Sequence, residues 1–134
     1  MTARIQQFCL AALAVSAAVV GGWALVSPHG FYTSFPGFGR HWVSSDGPYN
    51  EHLVLDVAGF YLGFLVLTIA AMGAKTAAVT RAAGAAWSVF SVVHLAYHAS
   101  HLDHLSNGDS VLEVGSLAAT LVLAIALLVP PKRA

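Results

Sequence analysis

Four apolar runs, each close to the length that crosses a bilayer, dominate this chain of 134 residues. A helix needs about 20 predominantly apolar residues to traverse the hydrocarbon core. The stretches at about 5–26, 51–73, 81–104 and 111–129 meet that condition, and Pro130 with Pro131 stops the last. None alternates like a barrel strand, and four strands would not close a barrel. Only 9% of the residues are charged and the mean hydropathy is +0.73. A soluble domain carries roughly a quarter charged residues, so this surface needs lipid as part of its solvent. The expected fold is all-α: one integral membrane domain over 1–134, a four-transmembrane-helix bundle running up-down-up-down.

The basic residues orient it. Arg4, Lys75, Arg81, Lys132 and Arg133 fall on one side of that topology, and only Arg40 on the other. Lys and Arg accumulate on the cytoplasmic side, so both termini and the 74–81 loop are expected inside the cell membrane. The first apolar run, from Phe8 to Val26, is too long for the core of a cleaved leader and reads as a retained helix. Zero formal net charge argues against a nucleic-acid partner. The lone Cys9 is read as a small packing residue, which leaves no internal disulfide and no thiol-type metal site.

The acids and histidines segregate the other way. Asp46, Glu51, Asp56, Asp103, Asp109 and Glu113 all lie on the outer side or in the outer half of a helix. So do His29, His41, His52, His94, His98, His101 and His104. Apart from Gln6, Gln7 and the basic residues at the ends, the inner halves carry only Ser, Thr and apolar residues, which argues against a through-channel. The outer loop from Ser27 to Asn50 is long for so small a chain, and such loops usually carry function. Phe31, Tyr32, Phe35, Phe38, Trp42 and Tyr49 make it aromatic-rich, as suits the membrane–water interface. A short interfacial segment over the bundle mouth is expected, either as an aromatic belt or as a lid. Ser45-Asp46-Gly47-Pro48 is a turn signal and Asn50 a helix N-cap.

One constellation can carry chemistry. At 3.6 residues per turn, His94, His98 and His101 fall on one helix face, with Tyr97 at its edge. His52 and Asp56, four apart, share a face of the second run. A short inner connection makes these two helices antiparallel neighbours, and their outer halves match in depth. An ionisable residue in lipid is costly and should face the bundle interior, water or a partner. Imidazole with carboxylate is a ligand set for zinc, iron or copper. The expected metal residues are therefore His52, Asp56, His94, His98 and His101, with Glu51, Tyr97, His104 and Glu113 as outer candidates. Taken singly, His29, His41 and His104 read as solvated interfacial residues. The spacing is not the His-Glu-x-x-His zinc motif, since position 95 is Leu. Haem b, ligated by His52 with His98 or His101, is a lesser option. Gly59 and Gly63 form a small-xxx-small pair, read as helix packing.

The run Gly47-Pro-Tyr-Asn-Glu-His52-Leu-Val-Leu-Asp56-Val-Ala-Gly59, followed by His94-x-x-Tyr97-His98-x-x-His101, resembles small four-helix membrane proteins of actinobacteria, similar in size and topology to the DoxX-like families. The resemblance implies the four-helix fold and brings no activity with it. Two functional expectations follow from the residues. One is a divalent metal site in the extracytoplasmic half, in a membrane oxidoreductase or an accessory subunit of one. The other is a non-enzymatic subunit that stabilises a larger membrane complex or a homo-oligomer. The first needs the five residues to converge on one point; the second needs them on an outward face.

Overall fold

The computed structural model describes residues 2–129. The secondary structure there is helical: α1 (Ala3–Val26), α2 (Pro28–Ser34), α3 (Trp42–Ser45), α4 (Glu51–Ala74), α5 (Ala77–Ala99) and α6 (Asn107–Ala126). Three of these, α1, α4 and α6, are long and apolar enough to cross a membrane. At 23 residues α5 is as long as they are, but Arg81, His94, His98 and several hydroxyls make it less apolar. Ile5, Phe8, Val19, Phe60, Ile69, Val89 and Val122 stand exposed, as side chains that face lipid do.

Local chemistry sets the helix ends. Thr2, Asn50, Thr76 and Ser106 each accept a bond from a first-turn amide: those of Ile5, Leu53, Val79 and Asp109. Between α4 and α5 only Lys75 and Thr76 intervene, and Lys75 takes the left-handed conformation that ends α4. So short a link forces the chain to reverse. The third apolar run differs from expectation at both ends: the helix starts at Ala77 and ends at Ala99, leaving His101 and His104 outside it. Ser100 explains the stop, because its hydroxyl bonds back to the carbonyls of Ala96 and Tyr97 and competes with the helical ladder. Helix α6 begins four residues earlier than the apolar run, because Ser106 caps it. The stop at Pro130 and Pro131 and the basic pair Lys132 and Arg133 lie outside the described residues.

Helix α1 packs chiefly on α4 and α5 chiefly on α6, with further contacts between α4 and α5 and between α1 and α6. Small residues set the close approaches. A Cβ on Gly21 would meet Tyr61 Cβ at 3.0 Å and Leu62 N at 3.1 Å. A Cβ on Gly84 would meet Leu127 Cβ at 2.8 Å and Ala124 O at 3.0 Å. Leu10, Leu13, Ala17, Tyr61, Trp87 and Leu127 form the inner core. Trp87 is fully buried, stacks on Phe64 at 4.6 Å, and donates its indole N–H to Thr68 Oγ1 at 2.9 Å. Thr68 passes its own proton to Phe64 O at 2.6 Å. In an apolar medium every such donor needs an acceptor.

Gly59 and Gly63 do not take part. An added Cβ at either meets nothing within 4 Å, so the small-xxx-small pair makes no helix contact within this chain. Gly84→Ala is therefore expected to lower the melting temperature in detergent, by an overpacking cost of about 1–3 kcal/mol. Gly59→Ala and Gly63→Ala should leave the isolated protein as stable as before or slightly more so. Equal losses in all three variants would contradict this packing.

Candidate functional site: an outer His–carboxylate centre

The loop between α1 and α4 folds over one end of the helices and is fastened on two sides. On the α1/α4 side the fastening is apolar. Phe31, with Ala24, Val54 and Ala58, forms a second buried cluster, against which Trp23, Tyr32, Phe35 and Tyr49 pack. Tyr32 also donates to Gly47 O at 2.8 Å. This is an aromatic layer used as core, and it holds the loop in register.

On the α5/α6 side the fastening is polar and has two parts. Asp109, in the first turn of α6, accepts from Arg40 Nε at 2.8 Å and from Trp42 Nε1 at 3.1 Å through Oδ1. Its Oδ2 accepts from Ser106 Oγ at 2.7 Å. An acid is also favoured at a helix N-terminus. The Arg40 and Asp109 side chains are about a third exposed, so the pair contributes at the modest level of surface bridges.

The second part is deeper. Glu113, one turn further along α6, has a side chain only 5% exposed, and its Oε1 lies 3.0 Å from His98 Nδ1. The Asp46 carboxylate, from the turn after α3, lies 3.9 Å from the same nitrogen. Its other oxygen is 3.0 Å from His104 Nε2. Despite the short His98–Glu113 distance, the contact lacks hydrogen-bond geometry. His98 Nδ1 and Glu113 Oε2 are thus buried without a hydrogen-bond partner. His94 stacks beneath on His98, with ring centroids 4.8 Å apart. Three chain segments meet in this centre: the turn at Asp46, the end of α5 with its exit at His104, and the start of α6.

The five residues expected to bind metal are not brought together. His94 and His98 adjoin each other. His101, beyond the end of α5, is exposed, stacks on Tyr97 at 4.3 Å and points Nδ1 at Tyr97 O, 2.8 Å away. His52 and Asp56 lie 3.4 Å apart on the outward side of α4, with side chains 83% and 50% exposed. Among the described residues, no three His, Cys, Asp or Glu side chains are disposed to hold a metal ion. Of the outer candidates, Glu113 and His104 enter the centre, while Glu51 and Tyr97 remain exposed. His104, expected to be solvated, is exposed and has Asp46 beside it. Asp46 itself was legible only as a turn residue, because no spacing rule links it to a histidine more than fifty positions away.

Compared with known proteins, the chain matches no family model, no curated protein and no solved structure.

Asp109→Ala removes the acceptor of both Arg40 and Trp42. The expected result is faster limited proteolysis between positions 36 and 50, with little change in the melting of the helical core. Unchanged proteolysis would mean that the aromatic side alone holds the loop.

Proposed function

We propose that the protein is a multi-pass cell-membrane protein with four spanning helices in up-down-up-down order and cytoplasmic termini. We propose further that it acts as a non-enzymatic subunit, docking on another membrane protein. The positive-inside distribution of Arg4, Lys75 and Arg81 supports the orientation. For α5, its length and its packing on α4 and α6 support a fourth span.

The observation that carries the docking role is the outward exposure of His52 and Asp56 on α4, a helix apolar enough to cross the membrane. A carboxylate on a lipid-facing surface costs about 2.5 kcal/mol or more toward the middle of the bilayer and less toward its edge. That cost is relieved when a partner covers it. Elsewhere in the outer half, Arg40 pairs with Asp109, and Asp46, His98, His104 and Glu113 adjoin one another where the loop meets α5 and α6. In this reading the centre of Asp46, His98, His104 and Glu113 stabilises the outer surface that accompanies the docking face.

One observation favours a second reading. Two buried ligating atoms, His98 Nδ1 and Glu113 Oε2, lack hydrogen-bond partners beside a second His–Asp pair. That donor set suits a divalent transition metal such as zinc, copper or iron. If bound, such an ion would supply Lewis acidity or a redox centre, and His98, Glu113, Asp46 and His104 would hold it after adjustment of their side chains.

The two readings separate experimentally. A photo-cross-linking residue at exposed Val66 on α4 should capture a discrete protein in the membranes of the native cell, and one at exposed Val93 on α5 should not. Elemental analysis of the purified protein should show no stoichiometric metal. Metal near one equivalent, lost in a His98→Ala/Glu113→Gln variant, with no Val66 adduct, would replace the docking role by the metal centre.

A further inference from the structure

From the docking reading above, on which this inference rests, we propose that the partner presents to α4 a spanning helix with a basic side chain, Arg or Lys, at the level of Asp56. The face itself selects a helix. His52, Asp56, Gly59, Gly63, Val66, Ala70 and Gly73 follow one another at alternating spacings of four and three, and all are exposed. That alternation is the seam along which two helices pack at a shallow left-handed crossing. Over 21 residues it runs roughly 32 Å, the thickness of a bilayer core. Gly59, Gly63 and Gly73 meet nothing within 4 Å of an added Cβ. A shallow depression floored by Gly59 and Gly63, and walled by Leu55, Phe60, Phe64 and Leu67, has Asp56 at its N-terminal end. A backbone can approach such a floor closely.

Charge then selects the kind of helix. A second copy of this chain in the same membrane orientation would pair along its two-fold axis, setting each residue against its own counterpart. Asp56 would face Asp56 and His52 would face His52. The only Lys or Arg of the outer half is Arg40, and Asp109 already holds it at 2.8 Å. A second copy therefore offers no free Lys or Arg for Asp56, whose one partner is the exposed His52 at 3.4 Å. A partner helix with a guanidinium or ammonium at that level offers a directed, charge-assisted contact in a medium of low dielectric.

The test uses the full-length protein, fluorescently tagged at its C-terminus, in phosphatidylcholine vesicles. The probes are two synthetic spanning peptides of Leu and Ala, each with two glycines four residues apart. One carries Arg a turn outside the first glycine and the other carries Leu there. By energy transfer the Arg peptide should bind about tenfold more tightly. Asp56→Asn, an exposed change that leaves the core alone, should abolish the difference, and Gly63→Leu should weaken both peptides. Equal binding of the two peptides, or a preference that survives Asp56→Asn, overturns the inference. So does energy transfer between two differently tagged copies that Gly63→Leu abolishes, since a second copy would then cover the face. With equal peptide binding, a Val66 cross-link in native membranes would leave the docking role standing without its basic partner. Loss of both would remove the docking role as well.

Discussion

The cost of an unpaired polar group in an apolar medium is the constraint on which the rest of the structure depends. It accounts for the relay from Trp87 through Thr68 to Phe64 in the middle of the helices, where a fully buried indole N–H and a hydroxyl satisfy each other in turn. It accounts for the hydroxyls of Ser116 and Thr120, which bond to carbonyls a turn behind them on α6. It also sorts the ionisable residues. In the outer half Glu113 adjoins His98 and Asp46 adjoins His104, and each pair joins two segments of chain distant in sequence. A carboxylate as buried as Glu113 is retained only where an imidazole adjoins it.

The loop over the outer end is held by two kinds of force. On the α1/α4 side, rings packed at 4.7–6.4 Å remove apolar area from water without needing close alignment. On the α5/α6 side, Asp109 accepts short directional bonds that fix register, and Asp46 lies beside His104 and His98. The aromatic side positions the loop, and Arg40, Trp42 and Asp46 reach across because it does. The Asp46–His104 pair is thus a consequence of the loop's fold, whereas His98 and Glu113 meet where α5 packs on α6.

The helical fold and the approximate extents of the long helices were legible because twenty-residue apolar runs have few other solutions. The cap residue Asn50 acts locally and was readable from side-chain chemistry, whereas Ser106 starts α6 ahead of the apolar run and was not. The end of α5 was not, because His101 and His104 continue a helical period while Ser100 breaks the ladder with a hydroxyl. The centre was half legible. Periodicity places His98 and His94 on one face, and Glu113 lies at their level. The approach of Asp46 to His104 depends on how a loop of more than twenty residues closes, which no local pattern encodes. His52 and Asp56 were rightly placed together on one face of α4. Which way that face points depends on how α4 packs on α1, and small residues such as Gly21 decide that. The same rotation leaves Gly59 and Gly63 open.

The central claim is that the polar residues of the outer half divide into an inward centre and an outward face. Solid-state NMR of the isotopically labelled protein in lipid bilayers, reading through-space contacts between imidazole nitrogens and carboxylate carbons, tests it most directly. The account predicts contacts of His98 with Glu113 and of His104 with Asp46, and predicts that His52 contacts Asp56 and no other carboxylate. A contact from Asp56 to His94, His98 or His101 would bring the two sets into one site and contradict it.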